Sequence, residues 1–429
     1  MEVLHGNTQG RLFASPSLCD KGRRAGVASP SRTNQCDEDE RHYAAGHRNR
    51  IIGFYGAIVF FSLCYFTPFL WLKSFSPQEL FLNKDSMYHS EEVFKLDYAE
   101  MERDFKVFVY PDGDPKTYYQ TPRKLSGKYA SEGYFFKNIK ESVFLTNDSD
   151  KAHLFFIPIS CHKMRGKGAN YKSMRSTVKN YVEGLMNKYP YWNRTLGADH
   201  FFVACHEIGV KATEGVPLLV KNSIRVVCSP RYDTGYIPHK DVALPQALHP
   251  FAHLPAAKYD LINRSRLAFW AGYRNSKVRE ELTSAWENDK EFDIQNTHID
   301  TRNGSALVSL IFKFKTSKFC ICPAGAHANT VCIVNSIHYG CVPVMLSDYY
   351  DLPFNDVLDW TKFAVILKEA DVFQIKHILK AISTSKFREL HTNTIKARKH
   401  FQWHSPPTKY DAFHMVMYEL WLRHYLVKY

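Results

Sequence analysis

From Phe105 onward, short apolar runs rich in β-branched and aromatic residues alternate with longer helical patterns. No other feature restricts the fold as strongly. "FKVFVYP" (Phe105–Pro111), "AHLFFIPI" (Ala152–Ile159), "HFFVAC" (His200–Cys205) and "IRVVCS" (Ile224–Ser229) read as strands, with helices such as "YKSMRSTVKNYVEGLMNKY" (Tyr171–Tyr189) between them. Continuous apolar strands separated by amphipathic helices require a parallel sheet covered on both faces. After a Pro-bearing passage the pattern restarts with "RLAFWAG" (Arg266–Gly272), "KFCIC" (Lys318–Cys322), "CVPVML" (Cys341–Leu346) and "FAVILK" (Phe363–Lys368). The pattern predicts an α/β fold of two Rossmann-like, doubly wound domains facing a cleft, residues 104–255 and 256–405, with a hinge near 244–262. The stretch "DAFHMVMYELWLRHYLVKY" spaces its apolar residues as an amphipathic helix, closing the chain over 406–429.

Upstream, "IIGFYGAIVFFSLCYFTPFLWL" (Ile51–Leu72) carries no charge and is long enough to cross a bilayer. Arg41, Arg48 and Arg50 precede it, against Lys73 and Lys84 after it. The positive-inside rule then predicts a signal anchor with residues 1–50 as a disordered cytosolic tail and 73–103 as a luminal stem. Sequons at Asn147, Asn193, Asn263 and Asn303 all follow the anchor, as luminal glycosylation requires. So do seven cysteines, an odd number that leaves at least one thiol out of any intrachain bridge, and Cys205 with Cys228 is one pairing to expect. The net charge of +13 suits an anionic partner. No nucleic-acid motif accompanies it, and no nucleic acid is expected.

Nine segments in order, "FKVFVYPDGD", "KYASEGYFFKNI", "DKAHLFFIPI", "GADHFFVACHEIG", "YIPHKDVALPQ", "LAFWAGYRNSKVR", "SKFCICPAG", "SIHYGCVPVMLSDYYDLPF" and "DAFHMVMYELWLR", resemble the exostosin-like glycosyltransferases, in particular the plant branch of glycosyltransferase family 47. The resemblance implies a GT-B fold and a type II Golgi membrane protein. Its implied activity is inverting transfer of a sugar from a nucleotide-sugar, UDP-linked, to a cell-wall or matrix polysaccharide, with no obligatory metal or other cofactor. A homo- or hetero-oligomer is compatible with it.

Two groups of residues carry the expected chemistry. On the donor side, Cys322-Pro323-Ala324-Gly325 turns out of a strand, and Asn329 or Thr330 caps the helix that follows. A helix start offers unpaired N–H groups to a diphosphate. The family pattern places Arg at Cys332 and an acid at Asn335, on one helix face. Cysteine cannot supply that charge, and asparagine offers only neutral hydrogen bonds. Arg274, Lys277 and Arg279 are the cations placed to compensate. The same two positions favour an alternative, a non-catalytic family member that binds glycan or scaffolds a synthase complex.

On the acceptor side, His206-Glu207 follows a strand, with Glu207 as base or orienter and His206 beside it. Asp241 is a further catalytic candidate, His239 an acceptor contact, and Glu132 a residue that fixes a helix start. The Asp112-Gly-Asp114 and Asp148-Ser-Asp150 triplets read as turns, not as metal sites. The Cys-His pairs Cys161-His162 and Cys205-His206 lack the second half of a zinc site.

Overall fold

The computed structural model describes residues 86–247, 264–297, 304–325 and 331–427. The predicted tail, anchor and most of the predicted hinge lie outside the described residues. Among the described residues no helix is long and apolar enough to cross a membrane.

Among the described residues, eleven strands form two parallel sheets within one compact unit. The first sheet has the order β2-β1-β3-β4-β5-β6. It is built from β1 (Val107–Val109), β2 (Leu145–Thr146), β3 (Leu154–Phe156), β4 (His200–Ala204), β5 (Ile224–Val227) and β6 (Val242–Ala243). The second has the order β11-β10-β9-β7-β8, from β7 (Arg266–Gly272), β8 (Phe292–Asn296), β9 (Ser317–Pro323), β10 (Val342–Leu346) and β11 (Val365–Leu367). Every residue of β4, β5 and β10 is buried, which is why these strands read as unbroken apolar runs. The sequence prediction of two parallel α/β sheets holds.

The closing helix, Ala412–Leu426, differs from its prediction. It is buried on nearly all sides, from Ala412 through His424, because it crosses back to the first sheet. Phe413 packs 5.6 Å from Phe135, and Trp421 packs 5.5 Å from Phe105, ring centre to ring centre. A second difference concerns the predicted stem. Ser90 caps a helix over Glu91–Asp104, whose Phe94, Tyr98 and Met101 are buried against the closing helix, with Phe94 5.1 Å from Tyr418. This helix belongs to the folded body.

Where the closing helix passes the seam between the lobes, Arg423 is buried. Its guanidinium pairs with Glu419 one turn back, lies 2.8 Å from Asp356 of the second lobe, and donates to the Asp241 carbonyl of the first at 3.1 Å. Burial pushes the Glu419 carboxyl up to about 8. Removing the cation strands two acids beside each other. Arg423→Met is expected to cost about 3–5 kcal/mol in denaturant unfolding, with part of the loss recovered when Glu419→Met is added. Additive losses from the two changes would show that the pair is not coupled.

Candidate active site at the seam between the lobes

The carboxyl ends of β5 and β9 meet at this seam. Beyond β5, Arg231 turns across to the second lobe, where its Nη1 donates to the Gly325 carbonyl at 3.1 Å. The next residue follows it: the Tyr232 N–H bonds the Tyr349 carbonyl at 3.0 Å, and the Asp351 N–H bonds Pro230 at 2.9 Å. Asp233 fixes the Arg231 guanidinium through Nε at 2.8 Å. From the other side, Arg279 lies over the Trp270 ring at 5.9 Å and reaches the Pro323 carbonyl at 3.3 Å. A side chain at Gly325 would put its Cβ 2.7 Å from the Arg279 guanidinium, so the glycine leaves room for this placement of Arg279. Burial lowers the pKa of Arg279. Among the described residues it has no carboxylate partner, only carbonyls and Asn275. Two guanidinium groups, one from each lobe, therefore flank the Pro323–Gly325 turn.

The missing charge at Cys332 has a structural counterpart. Cys332 is bonded to Cys322, tying the last turn of β9 to the helix Val331–His338. Cys322, expected as a donor contact, is thus a crosslink and is buried. Asn335 is half-buried on the same helix, and Thr330 lies outside the described residues. Arg274 turns away to pair with Glu287. Arg231 was missed in sequence because it sits in the aperiodic turn "CSPRYD"; its one signal is a cation two residues past a strand's carboxyl end.

On the first lobe, His206 and Glu207 sit at the carboxyl end of β4, where His206 caps the helix Glu207–Thr213 by accepting from the Ile208 N–H at 3.2 Å. Tyr129 stacks on His206 at 4.6 Å and meets the edge of His162 at 4.8 Å. A disulfide between Cys205 and Cys228, the pairing expected from sequence, ties the ends of β4 and β5. It holds the residues ahead of Glu207 and of Arg231 in one frame. The third bridge, Cys320–Cys341, joins β9 to the approach to β10, and Cys161 is the free thiol among the described residues.

Two expected site residues are placed differently. Asp241 is fully buried, pairing with Arg225 and Lys240 and accepting the Ile237 N–H at 2.9 Å. Its lone pairs are taken, so the structure makes it a core ion pair and not a catalytic candidate. His239 is exposed, in the left-handed region at φ 64°, with Nδ1 3.5 Å from Asp356. Asp112 is held by Lys188 and Tyr189, and Asp148 caps its own turn. Asn147 and Asn193 are exposed, as a glycan requires, while Asn263 and Asn303 lie outside the described residues.

Glu132 does more than start a helix. It is fully buried, accepts the Ser160 hydroxyl at 2.5 Å and the Cys205 N–H at 3.1 Å, and so joins the ends of β3 and β4. Burial pushes its carboxyl up to about 7. The unfolded chain releases this proton near 4.5, so between 4.5 and 7 the native state binds more protons. Stability present at low pH is then lost as pH rises, by up to about 1.4 kcal/mol per pH unit. Glu132→Gln keeps an acceptor for the Cys205 N–H and can donate its amide to the Ser160 hydroxyl instead of accepting from it, and it is expected to flatten that decline in thermal melts. An unchanged slope would show that Glu132 is already ionised.

Residues 101–382 match the exostosin GT47 domain. The chain belongs to the exostosin GT47 family and is a glycosyltransferase. Arabidopsis thaliana supplies two similar relatives. "Probable glycosyltransferase At5g03795" is 37% identical over 80% of this chain and 66% of its own length. "Probable beta-1,4-xylosyltransferase IRX10" is 28% identical over 73% of this chain and 80% of its own length. The chain thus spans just under two thirds of the first of these. A crystal structure of Anabaena Alr3699/HepE in complex with UDP and glucose aligns with a TM-score of 0.31 and 9% identity, over 69% of this chain and 95% of that one.

Proposed function

We propose that this chain transfers a sugar, with inversion, from a UDP-linked donor to a cell-wall or matrix polysaccharide, using a GT-B arrangement of its two lobes. The observation that carries the reading is the pair Arg231 and Arg279 at the Pro323–Gly325 turn. Arg279 is a partly buried cation that lacks a carboxylate among the described residues, a state that an anionic ligand would relieve. A diphosphate beside the turn would accept from both guanidinium groups, each bond charge-assisted. The same groups would stabilise the charge that grows on the diphosphate as the glycosidic bond breaks. They stand in for the arginine that Cys332 replaces.

In-line displacement needs a base on the opposite side of the sugar. Glu207, at the end of β4, is the group we assign to take the proton of the acceptor hydroxyl, with His206 orienting it against Tyr129. Names of relatives are in keeping with a glycan acceptor. One is a xylosyltransferase and another is "Probable glucuronosyltransferase GUT1" of Oryza sativa, 28% identical over 73% of this chain. We place the working protein in the Golgi membrane as a single-pass type II glycoprotein, on the apolar run Ile51–Leu72 and the exposed sequons at Asn147 and Asn193.

Calorimetric titration of the full chain in detergent with UDP, without metal, tests the donor site. Binding is expected, and Arg231→Met or Arg279→Met should each weaken it about 10- to 100-fold, the loss of one charge-assisted bond. A folded chain that ignores UDP and every other nucleotide would reverse this reading and leave a glycan-binding scaffold in its place.

A further inference from the structure

The lobe that carries His206 and Glu207 also carries a cluster of cations that its own acids do not neutralise. Arg123, Lys124 and Lys128 are exposed, and among the described residues none of the three has an ion-pair partner. Several cations elsewhere do have acid partners: Lys95 pairs with Glu91, Lys313 with Asp293, Lys376 with Asp289 and Lys386 with Glu389. The neighbouring Lys163 and Lys167 add positive charge without a carboxylate, since their ammonium groups donate to the Pro115 and Lys116 carbonyls at 2.6 and 2.7 Å.

The cluster is anchored to the candidate active site by contact. Arg123 Nη1 donates to His162 Nε2 at 3.3 Å, His162 meets the Tyr129 ring, and Tyr129 stacks on His206. Lys128 lies over the same tyrosine ring, 4.7 Å from its centre. His162 is buried, and its pKa is pushed down to about 4, by burial first and then by the surrounding cations. Near neutral pH it is therefore an uncharged acceptor for the Arg123 guanidinium and offers no competing charge.

The backbone under the cluster is held in place. Gly133 lets the helix Ala130–Glu141 approach the Lys124 carbonyl, where a Cβ would come within 2.5 Å. Gly166 leaves room for the Arg123 side chain, whose Nε would lie 2.5 Å from an added Cβ. Gln120, in the left-handed region at φ 61°, ties the preceding turn to the Tyr110 and Asp112 carbonyls. A solvated face needs no such support, whereas a binding surface gains from being preorganised.

We infer that Arg123, Lys124 and Lys128 form a subsite for the carboxylates of a uronate-bearing glycan, so that the acceptor chain is acidic and its reacting end lies at Glu207. This rests on the assignment of the β4 end as the acceptor side. Repeated carboxylates along a glycan suit several cations spread over one surface. A single diphosphate would need them to converge on one point, as Arg231 and Arg279 do.

The test is titration of the full chain in detergent with an oligogalacturonate, with its fully methyl-esterified counterpart, and separately with UDP. The acid oligomer is expected to bind, with affinity falling as salt rises, and the ester is not. The triple variant Arg123→Gln, Lys124→Gln, Lys128→Gln should bind the acid oligomer at least about tenfold more weakly, with UDP binding unchanged. Equal binding of acid and ester, or full binding by the triple variant, would overturn the inference. Loss of UDP binding in that variant would also overturn it by giving the cluster to the diphosphate. Tight capture by anionic lipid vesicles that the variant loses would overturn it in favour of a membrane surface. Binding of the oligomer without UDP would fail the donor site and leave this subsite standing; UDP without the oligomer would do the reverse.

Discussion

Arg423 sits where three separate parts of the chain must agree: the closing helix through Glu419, the first lobe through the Asp241 carbonyl, and the second lobe through Asp356. A buried guanidinium is costly to desolvate; Nη1 and Nη2 of Arg423 are used by these partners, while Nε is buried without one among the described residues. Here offsetting that cost draws the lobes together, because the acids come from different elements and no single lobe supplies them all. With the lobes so held, the carboxyl ends of β5 and β9 can touch through Arg231 and Gly325. The backbone hydrogen bonds at the seam, from Tyr232 to Tyr349 and from Asp351 to Pro230, depend on the same closure.

Covalent bonds then fix what closure brings near. The strand ends that carry candidate chemistry are followed or preceded by a disulfide: Cys205–Cys228 ties the ends of β4 and β5, and Cys322–Cys332 ties the end of β9 to the next helix. The second bridge occupies the position at which the family pattern has a cation. The exchange removes a mobile charge and adds a constraint on the turn. Cation density at that turn is not lost, since Arg231 and Arg279 reach it from two sides. A charge on the helix would act from within one lobe, whereas this pair spans two.

Much of the fold was legible because burial writes itself into composition. β4, β5 and β10 are buried along their whole length, and their apolar runs announce a parallel sheet. The missing charge at Cys332 was legible too, as was the pairing of Cys205 with Cys228. What stayed hidden depends on partners far away along the chain. Glu91–Asp104 reads as a polar helix, and nothing local says that Phe94 meets Tyr418. Asp241 has the look of a catalytic acid until Arg225 and Lys240 are seen around it. Arg231 lies in a turn with no periodicity, and its role comes from Gly325, 94 residues on. The closing helix reads as amphipathic, yet its apolar residues lie on nearly all sides, because neighbours from both lobes cover it.

On the proposed reading, the split origin of Arg231 and Arg279 has a consequence for how the site would work. A ligand that accepts from both guanidinium groups interacts fully only when the lobes are closed. It must therefore bind the closed arrangement more tightly than any open one, and shift the population toward it. The Arg423 network biases the same equilibrium without ligand. Closure in turn brings the β4 end, with Glu207 and the cations anchored through Tyr129, into register with the donor turn. Donor and acceptor sides would then be coupled through lobe geometry, not through a shared residue. The bond from Arg231 to Gly325 joins the first lobe directly to the donor turn and would sense both.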